Sequence, residues 1–205
     1  MANLGNEEQV DGLFARAIDH FEGRLDLLVN NAGLGEPVDH KLTDECYAAF
    51  KRISEANLFA PVRLTLLAAP HLKRTAEERK ETSAVVNISS IAAHRPGQAL
   101  FAYSTSKAAL TMFSESVAVE LAPLVRVNTV SPGPIETKII ARSGFSMEAF
   151  KRASEGTTVL QRVGKADEVA QAVLFLADHE RSAFITGADL VIDGGTLASP
   201  LRWNP

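Results

Sequence analysis

Tyr103 and Lys107 stand four residues apart in the run Tyr103-Ser104-Thr105-Ser106-Lys107, a spacing that puts a phenol and an ammonium on one face of a helix. A free phenol titrates near pH ~10 and is a poor base at neutrality, but a neighbouring cation favours its ionised form. The pair therefore reads as an acid/base whose proton affinity Lys107 adjusts. A hydroxyl on the opposite side of a substrate oxygen would hold the charge that develops during proton transfer, and Ser89-Ser90 offers two. The set amounts to one acid/base and one stabiliser.

These residues need elements that bring them together. From Glu7 to Phe21, the residues Val10, Leu13, Phe14, Ala17, Ile18 and Phe21 recur at helical spacing opposite a charged face. Leu25 to Val29 is a short apolar run closed by Asn30-Asn31-Ala32-Gly33, which suits a strand buried on both faces. A long helical stretch follows from Asp44 to Leu72, with Thr43 placed to cap it and Pro61 predicting two helices or a kink. The charged stretch from Lys73 to Glu81 reads as a solvated loop. Ser83 to Ile88 is a second buried strand, and after a loop with Pro96 and Gly97 a helix is predicted from Ala102 to Leu121.

Leu124 to Val130 is a third strand, and the prolines of Ser131-Pro132-Gly133-Pro134 exclude that segment from helix and central strand. Short helices are expected between Ile135 and Val163, a helix from Asp167 to Ala177, and a last strand from Ala188 to Ile192 stopped by Asp193-Gly194-Gly195. Alternation of strand and helix predicts a parallel sheet with helices on both faces. In such sheets ligands bind beyond the carboxyl ends of the strands. The polar residues after three strands, at Asn30, Ser89 and Ser131, thus converge on one crevice.

The bulk properties bound the partners. A chain of 205 residues, 46% hydrophobic, suits one domain spanning 1–205. A net charge of −4 offers no footprint for nucleic acid. The single Cys46 excludes an intramolecular disulfide, reads as a small buried hydrophobe, and fits a reducing compartment. No apolar run approaches the ~20 residues of a membrane span, and Met1 to Asp11 is acidic and polar, so a cytoplasmic protein is expected. His20, His40, His71, His94 and His179 are scattered without ligand spacing, and no metal is expected.

Taken together, Asn30-Asn31-Ala32-Gly33, Asn57, Ser90, Tyr103-x-x-x-Lys107, the run Ser131 to Thr137, Thr186-Gly187 and Asp193-Gly194-Gly195 agree in type, order and spacing with one family. The chain resembles a short-chain dehydrogenase/reductase along nearly its whole length. That resemblance implies a Rossmann-type α/β fold, a doubly wound parallel sheet, and reversible hydride transfer between NAD or NADP and a secondary alcohol or ketone. It implies that Tyr103 is the catalytic acid/base and that Ser90, rather than Ser89, bonds the substrate oxygen. Lys107 would also bind the nicotinamide ribose, and Asn57 would kink the long helix and hold a relay water. Asn30, Ala32 and Gly33 would line the adenine-side ribose region, while Pro132, Gly133, Ile135 and Thr137 would contact the nicotinamide.

The sequence departs from the family pattern at its start. The family's opening strand, Gly-rich turn and helix have no counterpart here, so the expectation is a Rossmann-type sheet lacking the first βαβ cofactor-binding portion. Asn3 stands where the family usually has an adenine-binding aspartate. A Gly-rich turn and helix N-terminus supply the donors that hold pyrophosphate, so their absence should weaken cofactor binding severely. The strand at Leu25 to Val29 would become an exposed edge.

Ile139, Ile140, Phe145, Met147 and Phe150 fall where the family has its substrate loop, and short helices packed on the core fit them equally. Val117 and Leu121 are candidates for a helix-to-helix face of a homo-oligomer, dimer or tetramer, and Leu197 to Trp203 for a tail crossing to another subunit. Two functions compete: an active oxidoreductase, and a non-catalytic relative acting as a binding or oligomerisation partner. A Rossmann-type methyltransferase is weaker, because Tyr103, Lys107 and Ser90 have no role there.

Overall fold

The computed structural model describes residues 2–35, 43–95, 97, 100–137 and 146–199. Pro96, His40, Ile139, Ile140, Phe145 and the tail from 200 to 203 lie outside the described residues. The elements in chain order are α1 (Glu7–His20), β1 (Leu27–Asn30), α2 (Asp44–Ser54), a π-turn (Glu55–Phe59), α3 (Ala60–Arg79) and β2 (Ser83–Ile88). A 3₁₀ turn (Ile91–Ala93), α4 (Phe101–Leu121), β3 (Val125–Pro132), β4 (Ile135–Glu136) and α5 (Met147–Glu155) follow. The chain then runs through β5 (Gly164–Lys165), α6 (Ala166–Ala177), α7 (His179–Ser182) and β6 (Asp189–Ile192).

The main sheet is parallel with order β1-β2-β3-β6. Strand β1 lies at one edge and pairs with β2 alone among the described residues. Val29 on it is 37% exposed.

Side chains alternate across the pleat, and β2 is buried along its whole length. Val85 packs with Ala68 and Leu72 of α3 and Ala118 and Leu121 of α4 on one face. Its neighbour Val86 packs with Ala172 and Leu176 of α6 on the other. Helices cover both faces, and α1 joins the first layer through Phe14. Cys46 is buried beside Ala49 and Phe101.

The structure revises three expectations. The irregularity in the long helix is the π-turn at Glu55–Phe59, with helical backbone on both sides, and Pro61, which has no N–H to give the ladder, follows it in the first turn of α3. The charged stretch after Leu72 is helix as far as Arg79, because straight-chain Arg, Glu and Lys are good helix formers and Arg74 pairs with Glu78 one turn on. It stops at Lys80, which adopts a left-handed conformation at φ 59°. Ser131 and Pro132 belong to β3: a proline is tolerated at the strand's last position, where Pro132 pairs in register with Ile192. Leu121 is buried in the core cluster and Val117 is half-buried against it.

Candidate active site

The carboxyl ends of β1, β2 and β3 and the first turns of α4 meet at one place. Helix α4 carries Tyr103 and Lys107 one turn apart, with the Lys107 Nζ 5.8 Å from the centroid of the Tyr103 ring. Lys107 is buried, and its ammonium donates to the Ile88 carbonyl at the end of β2 at 2.7 Å. Ser90, two residues further on, lies beside the Tyr103 phenol and lowers its proton affinity. It also caps the 3₁₀ turn, accepting from the Ala92 N–H at 3.1 Å.

Ser89 faces elsewhere. Its hydroxyl donates to the Lys107 carbonyl at 3.0 Å and shares a bond of 2.9 Å with Thr111. The serine beside the phenol is thus Ser90, and Ser89 fastens α4 to the strand.

Asn57 lies in the π-turn, fully buried. A π-turn adds a residue to the helical ladder and lets a side chain enter from a direction an α-helix does not offer. The Asn57 carboxamide accepts from the Leu34 N–H at 2.7 Å and donates to the Leu34 carbonyl at 2.8 Å and to Ser106 Oγ at 3.1 Å. Ser106 passes the connection on to the Tyr103 carbonyl at 2.7 Å. The loop after β1, the π-turn and the helix bearing the phenol are therefore one hydrogen-bonded unit. Gly33 closes it: a Cβ there would stand 3.1 Å from Asn57 Oδ1 and 3.4 Å from Lys107 Nζ.

The remaining predicted residues are dispersed. Asn30 turns into the sheet, donating to Asn87 Oδ1 at 2.7 Å and to Thr65 at 3.3 Å. Ala32 is exposed, and Asn3 is exposed with its side chain accepting from the Gly5 N–H. Pro132 ends β3, and Gly133 lies against Asp193, where a Cβ would be 2.7 Å from the Asp193 Cα. Ile135 is buried in β4, and Thr137 is half-buried just after it. A cavity of about 410 Å³ borders Ile135, Leu160, Arg162 and Asp193, but Ser90, Tyr103 and Lys107 do not line it.

Burial decides the electrostatics. It pushes the Tyr103 phenol above its ordinary value, and Ser90 offsets this only in part. It pulls the Lys107 ammonium down to about 8. The expected lowering of the phenol by Lys107 is outweighed, because desolvation acts on both groups.

Sequence reasoning missed Ser106 and His94. Ser106 lies inside the Tyr103 to Lys107 motif, where its position three residues after the phenol was the available signal. His94 pairs with Asp189 at 2.8 Å across 95 residues of chain, which no local pattern announces. Among the described residues no group of three or more His, Cys, Asp or Glu side chains is placed to hold a metal, and no helix is long and apolar enough to cross a membrane.

A parallel α/β sheet whose strand ends gather a phenol, an ammonium, a hydroxyl and a carboxamide defines a Rossmann-type oxidoreductase scaffold. A family described as enoyl-(acyl carrier protein) reductase matches residues 1–196. Glucose and ribitol dehydrogenase homolog 2 of Arabidopsis thaliana is 33% identical over 198 residues, covering 96% of this chain and 64% of its own. This chain therefore spans just under two thirds of that relative's length. A short-chain dehydrogenase/reductase of Caenorhabditis elegans, solved with cofactor, superposes with a TM-score of 0.86 at 32% identity over 97% of this chain and 74% of its own. A 7α-hydroxysteroid dehydrogenase complexed with NADH and 7-oxo glycochenodeoxycholic acid gives 0.81 at 29% identity, covering 95% and 72%. The chain belongs to the short-chain dehydrogenase/reductase family of oxidoreductases.

Proposed function

We propose that this protein interconverts a secondary alcohol and a ketone with NAD or NADP, using Tyr103 as acid/base, Ser90 to hold the substrate oxygen, Lys107 as the charged neighbour and Asn57 as a relay and positioning group. The observation that carries this reading is geometric: Tyr103 and Lys107 share one face of α4 with the ammonium 5.8 Å from the ring, and Ser90 lies beside the phenol and lowers its proton affinity. A substrate oxygen seated between the two hydroxyls accepts a hydrogen bond from each. In the ketone-reducing direction Tyr103 gives its proton to that oxygen while Ser90 holds the developing negative charge. Burial favours the neutral phenol, which is the form that reduction requires. The steroid dehydrogenase bound to a 7-oxo compound supports the secondary alcohol/ketone class.

The donor set suits a nicotinamide dinucleotide. A lysine ammonium has three N–H donors, and Ile88 accounts for one, leaving others for ribose hydroxyls. Pro132, Gly133, Ile135 and Thr137 would flank the nicotinamide, and Asn30, Ala32, Gly33 and Asn3 the adenosine side. NAD(P)(H), when bound, supplies or accepts the hydride. Assay of the protein with NADH and NADPH over a ketone panel, beside Tyr103→Phe, tests the reading, and turnover lost in the variant supports it.

A second reading, a non-catalytic binding or oligomerisation partner, draws on the exposed apolar residues Leu66 of α3 and Val119 of α4. A homo-oligomer fits either function. Phe59 and Leu66, and likewise Met112 and Val119, lie seven residues apart and are 53%, 59%, 60% and 76% exposed, giving α3 and α4 matching apolar stripes. Sedimentation as a dimer or tetramer is expected, with Leu66→Glu and Val119→Glu driving it to the monomer.

A further inference from the structure

The 3₁₀ turn that bears Ser90 is held from outside at two points. His94, the residue that ends the turn, places Nε2 at 2.8 Å from Asp189 Oδ2 at the start of β6. The same oxygen accepts from the buried Ser131 hydroxyl at 2.9 Å, so the carboxylate is itself fixed against β3. The Asp189 side chain is 12% exposed and its other oxygen, Oδ1, is buried without a hydrogen-bond partner among the described residues. The next residue, Arg95, donates to the Leu197 carbonyl at 2.9 Å and to the Thr196 carbonyl at 3.3 Å.

Those two carbonyls belong to a turn built by Asp193. Its carboxylate accepts from the Gly195 N–H at 2.8 Å and from the Leu197 N–H at 2.7 Å, and its carbonyl accepts from Thr196. Asp193 also lies so close to Gly133 that a Cβ there would collide with it, and the Gly133 N–H donates to the Ile192 carbonyl at 2.9 Å. The strand end at Pro132–Gly133 and the turn carrying Ser90 are therefore both referenced to one short segment, residues 189–197.

We infer that His94 and Arg95 are positioning residues that clamp the Ser90 turn onto β6 and the Asp193 turn, and so set where the Ser90 hydroxyl stands relative to Tyr103 and to the Pro132–Gly133 strand end. Neither side chain needs to touch substrate. Their effect passes through Ser90, whose hydroxyl has two tasks, capping the 3₁₀ turn and meeting the phenol. A hydroxyl displaced by a fraction of an ångström no longer meets a substrate oxygen and the phenol together. The histidine end of the clamp is more than a third exposed, so it acts through geometry and not through burial energy.

The kinetic arm of the test rests on the oxidoreductase reading, and the exchange arm does not. In ketone reduction, His94→Ala lowers kcat by about 5- to 100-fold with the KM for NAD(P)H unchanged. His94→Gln, whose amide can donate to Asp189, recovers most of it. Arg95→Met gives a loss of the same kind. Hydrogen exchange of the amides from Ala92 to Arg95 accelerates on the order of tenfold in His94→Ala and returns towards wild type in His94→Gln. Unchanged kcat and unchanged exchange in His94→Ala overturn the clamp, as do equal losses in the Ala and Gln variants. If wild type and Tyr103→Phe are equally inert, it is the oxidoreductase reading that fails, and the exchange rates still decide the clamp.

Discussion

The Lys107 ammonium donates to the Ile88 carbonyl at 2.7 Å, tying α4 to the strand whose end presents Ser90. The bond is made in a site dry enough to pull the ammonium down to about 8. Between that value and the ordinary lysine value the unfolded chain holds a proton that the folded chain has released, so folding stability from this group rises with pH. The penalty is fully present below pH 8 and is relieved as pH climbs towards 10.5. Denaturant unfolding of wild type and Lys107→Met at pH 7 and at pH 9.5 should show wild type gaining on the variant at the higher pH. A constant difference between them would contradict the buried, charge-penalised lysine.

Ser89 and Ser90 should separate structure from chemistry. Ser89→Ala removes the donor to the Lys107 carbonyl and the bond shared with Thr111, at a cost of about 1–2 kcal/mol in stability. Turnover should be largely kept. Ser90→Ala loses the cap on the Ala92 N–H, at about 1 kcal/mol in stability, while kcat falls by about 100-fold or more. Steady-state kinetics beside thermal melts of the two variants check this directly.

Gly133 has no room for a side chain. A Cβ would lie 2.7 Å from both the Cα and the Cβ of Asp193, and backbone cannot swing aside as a long side chain can. Gly133→Ala should cost about 1–3 kcal/mol by overpacking. It should also displace the Pro132 strand end, raising the Kd for NAD(P)H. Calorimetric titration and urea unfolding measure the two effects separately.

Arg126 is 3% exposed in β3, at the end of the sheet opposite the site. Its guanidinium donates to Thr82 Oγ1, to the Leu176 carbonyl near the end of α6 and to Ser182 Oγ, at 2.8, 2.9 and 2.9 Å. Arg126→Met would strand these acceptors in the interior, at about 3 kcal/mol in all. For a chain of this size that is a fall of roughly 6–12 °C in Tm. A variant that melts within two or three degrees of wild type would show that water reaches this network.

The residues legible in the sequence were those whose roles depend on local spacing. Tyr103 and Lys107 share a helix face by arithmetic, and Ser83 to Ile88 declares a strand buried on both sides by the apolar residues Ala84, Val85, Val86 and Ile88. Asn57 was legible only through resemblance, because a π-turn leaves no mark on helical periodicity. The extension of α3 through Arg79 was hidden by composition. Its charges resemble a loop until Arg74 and Glu78 are paired across a turn. The clamp from His94 to Asp189 was illegible for a different reason: its partners stand 95 residues apart, and only the parallel crossover into β6 brings them together.

The central claim is that Tyr103, raised by burial and flanked by Ser90, exchanges a proton with the substrate oxygen. A phenol held neutral donates readily, so ketone reduction should run at full rate near neutrality. Alcohol oxidation, which needs the ionised phenol, should climb as pH rises. The most direct measurement follows NAD(P)H absorbance for wild type and Tyr103→Phe over a panel of ketones and secondary alcohols at several pH values. The account predicts ketone-dependent NAD(P)H consumption by wild type that Tyr103→Phe lacks, with an oxidation limb that rises with pH. Equal rates in wild type and variant, or no turnover by a folded wild-type protein that binds NAD(P)H, would contradict it.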